Sequence, residues 1–287
     1  MASGRNTSDD AERSDSHAML FNQSLAKGLA VLQCFAPGRE SLSLAEIATY
    51  SGIGKSAAQR FTYTLQHLGY LSKDPVTKRY ALTPATLALG YRYLLVNHNV
   101  ERANPYLLDL NQRCKETINY SEPDGTDMVY VSRFPTSLTT PVHMPLGRRL
   151  PMYCTSAGRA YLAYLPEAER RQHLEASERV AYTRKTITDI DRLAELCEEA
   201  DQLGYAYSEE EYYVGDLNES AAVLGPSKRP VGIVTISAPS TRWTLAKRRR
   251  QLAPQVLEPA RVISTSTPEP ERVAPFRLGL GKGPAGG

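Results

Sequence analysis

Cysteine, tryptophan, phenylalanine and histidine are all scarce in this 287-residue chain, and each scarcity excludes something. The four cysteines, Cys34, Cys114, Cys154 and Cys197, are too widely spaced for a zinc knuckle or for a small disulfide scaffold, and they read as reduced thiols. The five histidines, His17, His67, His98, His143 and His173, show no metal-ligand spacing with one another or with the cysteines. An excess of one charge is missing too: 34 Lys and Arg face 31 Asp and Glu, a net +3 that rules out a histone-like basic coat. No stretch approaches the ~20 apolar residues of a spanning helix, and the first residues are polar and acidic. Neither membrane insertion nor export is expected, which leaves a cytoplasmic protein. The 41% hydrophobic content is enough for a real core, and the length suits two domains.

Charge is unevenly distributed. Residues 1–20 carry a net −2 and residues 21–90 a net +4, so the positive block is local. A basic run, Lys247-Arg248-Arg249-Arg250, comes much later. Residues 1–20 and the Pro- and Gly-rich residues 266–287 read as disordered tails, lacking the apolar content to offset chain entropy.

Residues 21–83 spell a winged helix-turn-helix. Leu25, Leu29, Leu32 and Phe35 recur at helical steps, which predicts a first helix with one apolar stripe. Ser43 and Glu46 form a capping box that opens a second helix ending near Tyr50. After the turn Ser51-Gly52-Ile53-Gly54, a third helix has Ala57, Phe61, Leu65 and Leu68 as its inward side and stops at Gly69. Strands at 70–72 and 79–82 flank an Asp74-Pro75 turn and make a basic wing.

Residues 84–99 read as an interdomain linker helix, capped by Thr83 with Pro84 in its first turn and carrying Leu87, Tyr91, Leu94 and Leu95 on one side. Residues 100–265 then mix helices and strands without strict alternation. Helices are expected at 101–115, 155–165, 190–203 and 243–264; strands at 128–132, 140–144, 205–208, 218–224 and 231–237. The fold class is therefore α+β.

The third helix is the strongest functional segment, because a helix fits the major groove and its polar side chains reach base edges. Ser56, Gln59 and Arg60 are the base-reading candidates; Lys55 and Tyr63 suit phosphate, and Lys73, Lys78 and Arg79 of the wing suit the backbone or minor groove. Each alone is an ordinary solvated residue; the ordered set of stripe, capping box, glycine turn and basic hairpin carries the DNA reading. In the second domain, the helix opened by Thr155-Ser156-Ala157 offers N–H groups to a carboxylate, and Ser208, Asn218, Thr235 and Ser237 offer polar tips to a pocket.

Several enzyme lookalikes fall away. Ser24-Leu25-Ala26-Lys27 matches the S-x-x-K string of penicillin-recognising hydrolases but lacks its companion elements. Gly279-Leu280-Gly281-Lys282-Gly283 follows no strand, so it is no phosphate loop. Glu209-Glu210-Glu211 reads as a solvated acidic edge rather than a cation site. No catalytic constellation, metal site or cofactor motif remains.

These segments together resemble the IclR family of bacterial transcriptional regulators over residues 22–264. The resemblance is carried by Ser24-Leu25-Ala26-Lys27-Gly28-Leu29-Ala30-Val31-Leu32, Leu68-Gly69-Tyr70-Leu71, Gly147-Arg148-Arg149-Leu150-Pro151 with Thr155-Ser156-Ala157-Gly158-Arg159-Ala160, and Gly204-Tyr205-Ala206 before Glu210 and Glu211. Val131-Ser132-Arg133-Phe134-Pro135-Thr136 and Leu150-Pro151-Met152-Tyr153-Cys154-Thr155-Ser156 look like the branch controlling protocatechuate and β-ketoadipate pathway genes.

The resemblance implies a winged helix-turn-helix, a dimerising linker helix and a C-terminal GAF-like α/β effector domain. It implies dimers or dimers of dimers on double-stranded operator DNA near catabolic genes. It implies a small organic acid, preferably an aromatic carboxylate, held by the helix start at Ser156 and Ala157, with contacts from Ser208, Asn218, Thr235 and Ser237 and apolar walls from Met144, Leu146 and Leu150. Arg133 and Arg148 are possible second partners, since a guanidinium clamps a carboxylate bidentately. The chain departs from many members in having Ser208 for Asp, Asn218 for Cys, and Ala221-Ala222-Val223 for Ala-Ala-Pro. Two other classes stay open at this stage: a sensor acting through protein partners, and a hydrolase built on Ser24.

Overall fold

The computed structural model describes residues 20–138 and 144–265. Apart from Leu20, both expected tails lie outside the described residues, as does most of the strand expected at 140–144; Met144 itself is in irregular backbone. The chain divides into two compact units, one ending at Tyr93 and the other beginning at Leu94.

In the first unit, α1 (Gln23–Gln33) is capped by Asn22, whose side chain accepts from the N–H groups of Ser24 and Leu25. Its buried residue is Val31, whereas Leu25 and Leu29 of the expected stripe are 63% and 47% exposed. Leu32 and Phe35, the other half of that stripe, are half-buried against the core, so only the N-terminal two positions of the stripe stand free of it. The second helix, α2 (Leu44–Ser51), opens on the expected capping box, with Glu46 N–H donating to Ser43 and Ser43 N–H to Glu46 Oε2 at 2.7 Å. Its C-cap, Gly52, has φ +66°, the left-handed region that favours glycine.

The third helix, α3 (Lys55–His67), buries Ala58 and Thr62 and half-buries Ala57, Phe61 and Leu65; Leu68, expected inside, is 60% exposed. The strands β1 (Leu71–Lys73) and β2 (Tyr80–Leu82) pair antiparallel, and Asp74 Oδ1 accepts from Val76 and Thr77 N–H to close the wing. Val31, Cys34, Leu42, Ile47, Ala58, Leu71 and Tyr80 form the core of this small unit.

The expected single linker helix is interrupted. A 3-10 turn (Pro84–Thr86) precedes α4 (Leu87–Val96), and Asn97 ends it by capping the next helix, α5 (His98–Cys114), through Asn99 and Val100 N–H. No residue of α4 is buried.

The second unit is built on a six-stranded antiparallel sheet ordered β5-β4-β3-β8-β7-β6. The strands are β3 (Thr117–Asp124), β4 (Asp127–Phe134), β5 (Arg149–Pro151), β6 (Ala206–Glu209), β7 (Asp216–Leu224) and β8 (Pro230–Pro239). One face packs Ile118, Val131, Val234 and Ile236 against Leu107 and Leu110 of α5 and Val256 and Ile263 of α10 (Ala253–Thr265). The other packs Met128, Ala222 and Ile233 against α6 (Ser156–Ala163), which in turn meets α8 (Ile190–Leu203). Helices on both faces of an antiparallel sheet fit the α+β expectation.

Three elements were not anticipated: the central strand β3, the short strand β5 and the helix α7 (Glu167–Ala176). The last expected helix is two, α9 (Leu245–Gln251) and α10, divided at Leu252. Between Tyr120 and Ser121 the β3–β4 register shifts, so that β4 carries one extra residue. This bulge puts Tyr130 and Arg133, three apart in sequence, on the same face, while Val131 joins the opposite core and Ser132 donates to Asn104 of α5.

Candidate functional site

On the first unit, Lys55, Ser56, Gln59, Arg60 and Tyr63 are all exposed along one side of α3, and Tyr63 is 71% exposed. That helix starts at Gly54 with no side-chain cap, so its first N–H groups face outward unopposed by a cap. The wing residues divide. Lys73 lies 5.0 Å over the Tyr80 ring and Lys78 donates to Pro75 O, both with exposed side chains. Arg79 instead turns inward: it donates to Ser41 O at 2.7 Å and pairs with Glu46 at 2.9 Å. The Ser43 N–H and hydroxyl, then Arg79, hold the Glu46 carboxyl down to about 2. Arg79 thus braces the wing on the α2 capping box, a role that competes with the expected phosphate contact.

On the second unit, one sheet face carries a polar field. Arg133, Asn119, Thr235 and Ser220 stand opposite one another in register across β4, β3, β8 and β7. Arg133 donates to Asn119 Oδ1 at 2.9 Å, Asn119 to Ser237 at 3.0 Å, and Ser237 to Asn218 Oδ1 at 2.5 Å. Asn218 Nδ2 donates to Asp216 at 2.9 Å and reaches Ser208 at 3.5 Å. A second chain runs inward, with Thr235, Ser220 and Ser156 sharing hydroxyl hydrogen bonds of 2.7 Å.

Two adjoining spaces lie over this field. The inner is tight, about 20 Å³, and is lined by Ser156 and Ala157 at the start of α6 and by Leu150, Cys154, Ser208, Glu211, Asn218 and Thr235. The outer, about 320 Å³, is lined by Arg133, Ser237, Glu116, Val214 and neighbours; Tyr130, Met144, Tyr213 and Asp216 border both. Thr155 caps α6 by accepting from Gly158 N–H, and the helix geometry leaves the Ser156 and Ala157 N–H groups without intrahelical acceptors.

Nine of the eleven side chains expected to hold an effector therefore converge: Arg133, Met144, Leu150, Ser156, Ala157, Ser208, Asn218, Thr235 and Ser237. Two do not. Leu146 is 48% exposed and faces a separate surface groove with Leu94, Leu95 and Val100. Arg148 stands behind the wall, donating to Tyr213 Oη at 2.5 Å. Asn119, Tyr130, Tyr213, Asp216 and Ser220 were not anticipated; a polar residue at every second position of β7 was the available signal for Asp216 and Ser220.

Burial sets the protonation of the lining. It pushes the Cys154 thiol up to about 12 and raises Tyr130, so both are neutral donors. Burial also raises Asp216, against the Asn218 hydrogen bond and the Arg133 charge, which lower it.

The acidic triplet is neither a solvated edge nor a cation site. Glu209 pairs with Arg248 at 2.8 Å, Glu210 with Lys185 at 2.7 Å, and Glu211 with the buried Arg159 of α6. Arg248, from the basic run, is wholly buried and also donates to Ser208 O at 3.1 Å. Among the described residues, no group of His, Cys, Asp and Glu is arranged to hold a metal ion, and no helix is long and apolar enough to cross a membrane.

Comparison with known proteins gives a consistent picture. Residues 24–75 match the IclR helix-turn-helix domain, and residues 92–265 match the family described as bacterial transcriptional regulator IclR C-terminal. The Pca regulon regulatory protein of Pseudomonas putida is 30% identical over 242 residues, covering 84% of this chain and 82% of that protein. An IclR family transcriptional regulator from Brucella abortus superposes with a TM-score of 0.75 at 28% identity, covering 88% of this chain and 96% of that one. An IclR homologue from Microbacterium hydrocarbonoxydans, solved with 4-hydroxybenzoate, shares the fold at a TM-score of 0.70 and 18% identity, over 85% of this chain and 98% of its own.

Proposed function

The chain belongs to the IclR family of bacterial transcriptional regulators, which makes it a DNA-binding regulator rather than an enzyme, and from that premise we propose that it senses a small aromatic or related organic acid and controls genes for its catabolism. The observation that carries this reading is the convergence of nine anticipated side chains on one cavity over the sheet. The effector carboxylate sits at the start of α6, near Ser156 and Ala157, where N–H groups and the helix dipole favour an anion. The tyrosines and methionine bordering the two spaces suit a ring. Likeness to the Pca regulator of Pseudomonas putida supports the aromatic-catabolic assignment.

In this reading residues 21–83 bind operator DNA, with Ser56, Gln59 and Arg60 at base edges and Lys55, Tyr63, Lys73 and Lys78 at phosphates. Residues 84–99 link to the effector domain at 100–265. The protein works in the cytoplasm as a dimer or dimer of dimers, and the exposed Leu20, Phe21, Leu25 and Leu29 around α1, with the unburied α4, supply apolar area for self-association. Effector occupancy acts through Tyr91, Leu94 and Leu95 of α4 on the spacing of two recognition helices, which read half-sites about one helical turn apart.

The test is binding of the purified protein to its own upstream intergenic DNA at two salt concentrations, with and without benzoate, 4-hydroxybenzoate, protocatechuate and terephthalate. Tight, salt-sensitive binding shifted by one acid is expected. No preference over random DNA would overturn the proposal in favour of a sensor acting through protein partners.

A further inference from the structure

Resting on that reading of the cavity, we infer that Arg148 is a further anion-binding residue of the effector site, masked by Tyr213, which swings aside and lets it pair with a second carboxylate of the effector.

Among the described residues, Arg148 is paired with no carboxylate. Its Nη2 donates to Tyr213 Oη at 2.5 Å, and its Nε is buried with no partner. A guanidinium has five N–H groups to place. Other arginines of this unit place theirs on acids: Arg149 on Asp124 and Asp127, Arg159 on Glu211, Arg242 on Glu116, and Arg248 on Glu209 and Glu219. Burial raises the Tyr213 phenol against the Arg148 charge, so the group facing Arg148 is neutral. A carboxylate accepts two parallel N–H bonds and brings a charge, which makes it the stronger partner.

Tyr213 stands between this cation and the cavity, bordering both spaces while Arg148 borders neither. Tyr130 and Asp216, which also border both, are fixed in β4 and β7. Tyr213 belongs instead to the loop between β6 and β7. The base of that loop is tied, with Thr183 donating to Glu210 O at 2.7 Å, Thr186 to Glu211 O at 2.6 Å and Ser240 N–H to Gly215 O at 2.8 Å. Tyr212 packs on Tyr182 at 4.6 Å, whereas Val214 is 82% exposed. The half-buried Tyr213 side chain, edge-on to Tyr212, is the part of the loop that can turn outward once its bond to Arg148 is exchanged.

Size demands such a movement. The inner space of about 20 Å³ has room for little more than a water, whereas a cavity of about 150 Å³ admits benzene. An acid that reaches the α6 start with its body in the outer space must push the dividing side chains apart. Charge favours a second acidic group there. Arg133 lines the outer space, and Glu116 is already matched by Arg242 and by the Trp243 indole N–H at 2.7 Å. Burial lifts the Asp216 carboxyl above its usual range, which weakens its opposition to an incoming anion.

The experiment measures dissociation constants of the full-length protein by calorimetry. Terephthalate, isophthalate and adipate are each compared with their monomethyl esters, and benzoate and 4-hydroxybenzoate serve as single acids. At least one diacid is expected to bind about tenfold or more tightly than its ester, as hydrogen bonds between charged groups warrant. Arg148→Met is expected to bring that ratio to within about twofold of unity. Tyr213→Phe keeps the ring but offers Arg148 no oxygen, and is expected to raise the ratio by about threefold or more, which a merely structural tyrosine would not do. No diacid preference in the wild type, the same preference in a folded Arg148→Met protein, or a ratio that Tyr213→Phe does not raise would overturn the inference. Binding of either single acid would then leave the effector site standing. If Arg148→Met does not fold, the wild type and Tyr213→Phe decide. Failure of every acid to bind, in a preparation that binds its DNA, would overturn the effector reading as well.

Discussion

Arg248 Nε lies 2.6 Å from Glu219 Oε1, and neither side chain has any exposure to solvent. The same guanidinium also serves Glu209, so one cation from α9 answers two carboxylates on the neighbouring strands β6 and β7. Because it reaches Ser208 O as well, this pair holds the strands that carry Ser208 and Asn218 from beneath.

Removing one partner leaves the other charge buried. At pH 8, above the Glu219 value of about 7, Arg248→Met is expected to lower stability by about 3–5 kcal/mol, the usual cost of an orphaned buried ion. The double change Arg248→Met with Glu219→Leu is expected to recover much of it. Urea unfolding of the wild type, Arg248→Met, Glu219→Leu and the double variant, analysed as a double-mutant cycle, measures the difference; additive losses would show that the pair is not coupled.

The pair also predicts a pH dependence. Burial pushes the Glu219 carboxyl up to about 7 from an ordinary 4.5, Arg248 opposing it. The folded protein therefore holds this proton more tightly than the unfolded chain. The stabilisation is fully present below 4.5, falls as pH rises towards 7, and is absent above. Urea midpoints between pH 5 and 8 should decline with rising pH in the wild type and decline less in Glu219→Gln; parallel curves would refute it.

Glycine is required at position 158. A Cβ there would lie 2.1 Å from the Cα and carbonyl oxygen of Met152, both backbone atoms that cannot swing aside. Gly158→Ala should cost about 1–3 kcal/mol or more, as overpacking does. It should also weaken effector binding, because α6 must move off the cavity it lines. Unchanged melting would show that the segment yields freely.

On the first unit, Arg60 and Arg79 should separate. Arg60→Ala is expected to weaken operator binding and leave melting unchanged; loss of a phosphate-contacting Lys such as Lys55 should reduce the salt slope by about one. Arg79→Met should lower the melting temperature, since it removes the brace to Ser41 and Glu46. Equal effects from both arginines on both readouts would contradict the division of roles.

How much was legible in the sequence depended on whether a signal was local. The Ser43 and Glu46 box, the Gly52 cap and the exposed side of α3 are local, and the winged unit follows from them. Of the apolar stripe, Leu32 and Phe35 pack inward while Leu25 and Leu29 stay exposed, because helical spacing alone does not reveal how far along a helix its neighbours reach. The strand β3 stayed hidden because Asn119, Ser121 and Glu122 look like loop residues until their distant partners are known, Arg133 and Ser237 for Asn119 and Asn97 for Glu122, although Asp124-Gly125 marked its hairpin. The burial of Arg159 and Arg248 left no local mark, because their carboxylates lie 52 and 29 positions away from them. Ser156, Ala157, Ser208, Asn218, Thr235 and Ser237 were read from a helix start and polar strand positions, and Met144 and Leu150 came through family resemblance; Tyr130 required the sheet register.

The one-residue excess in β4 ties cavity composition to strand counting. Arg133 faces the cavity because the chain regains its pairing with Asn119 beyond the bulge. Slipping that pairing by one position would present Ser132 or Phe134 instead and turn the neighbouring side chain to the opposite face. Gain or loss of a single residue in this strand would thus exchange a cation for a hydroxyl or an aromatic ring, while every other lining residue kept its identity. Diversification of ligand preference on this scaffold is accessible through an insertion or deletion as well as through substitution.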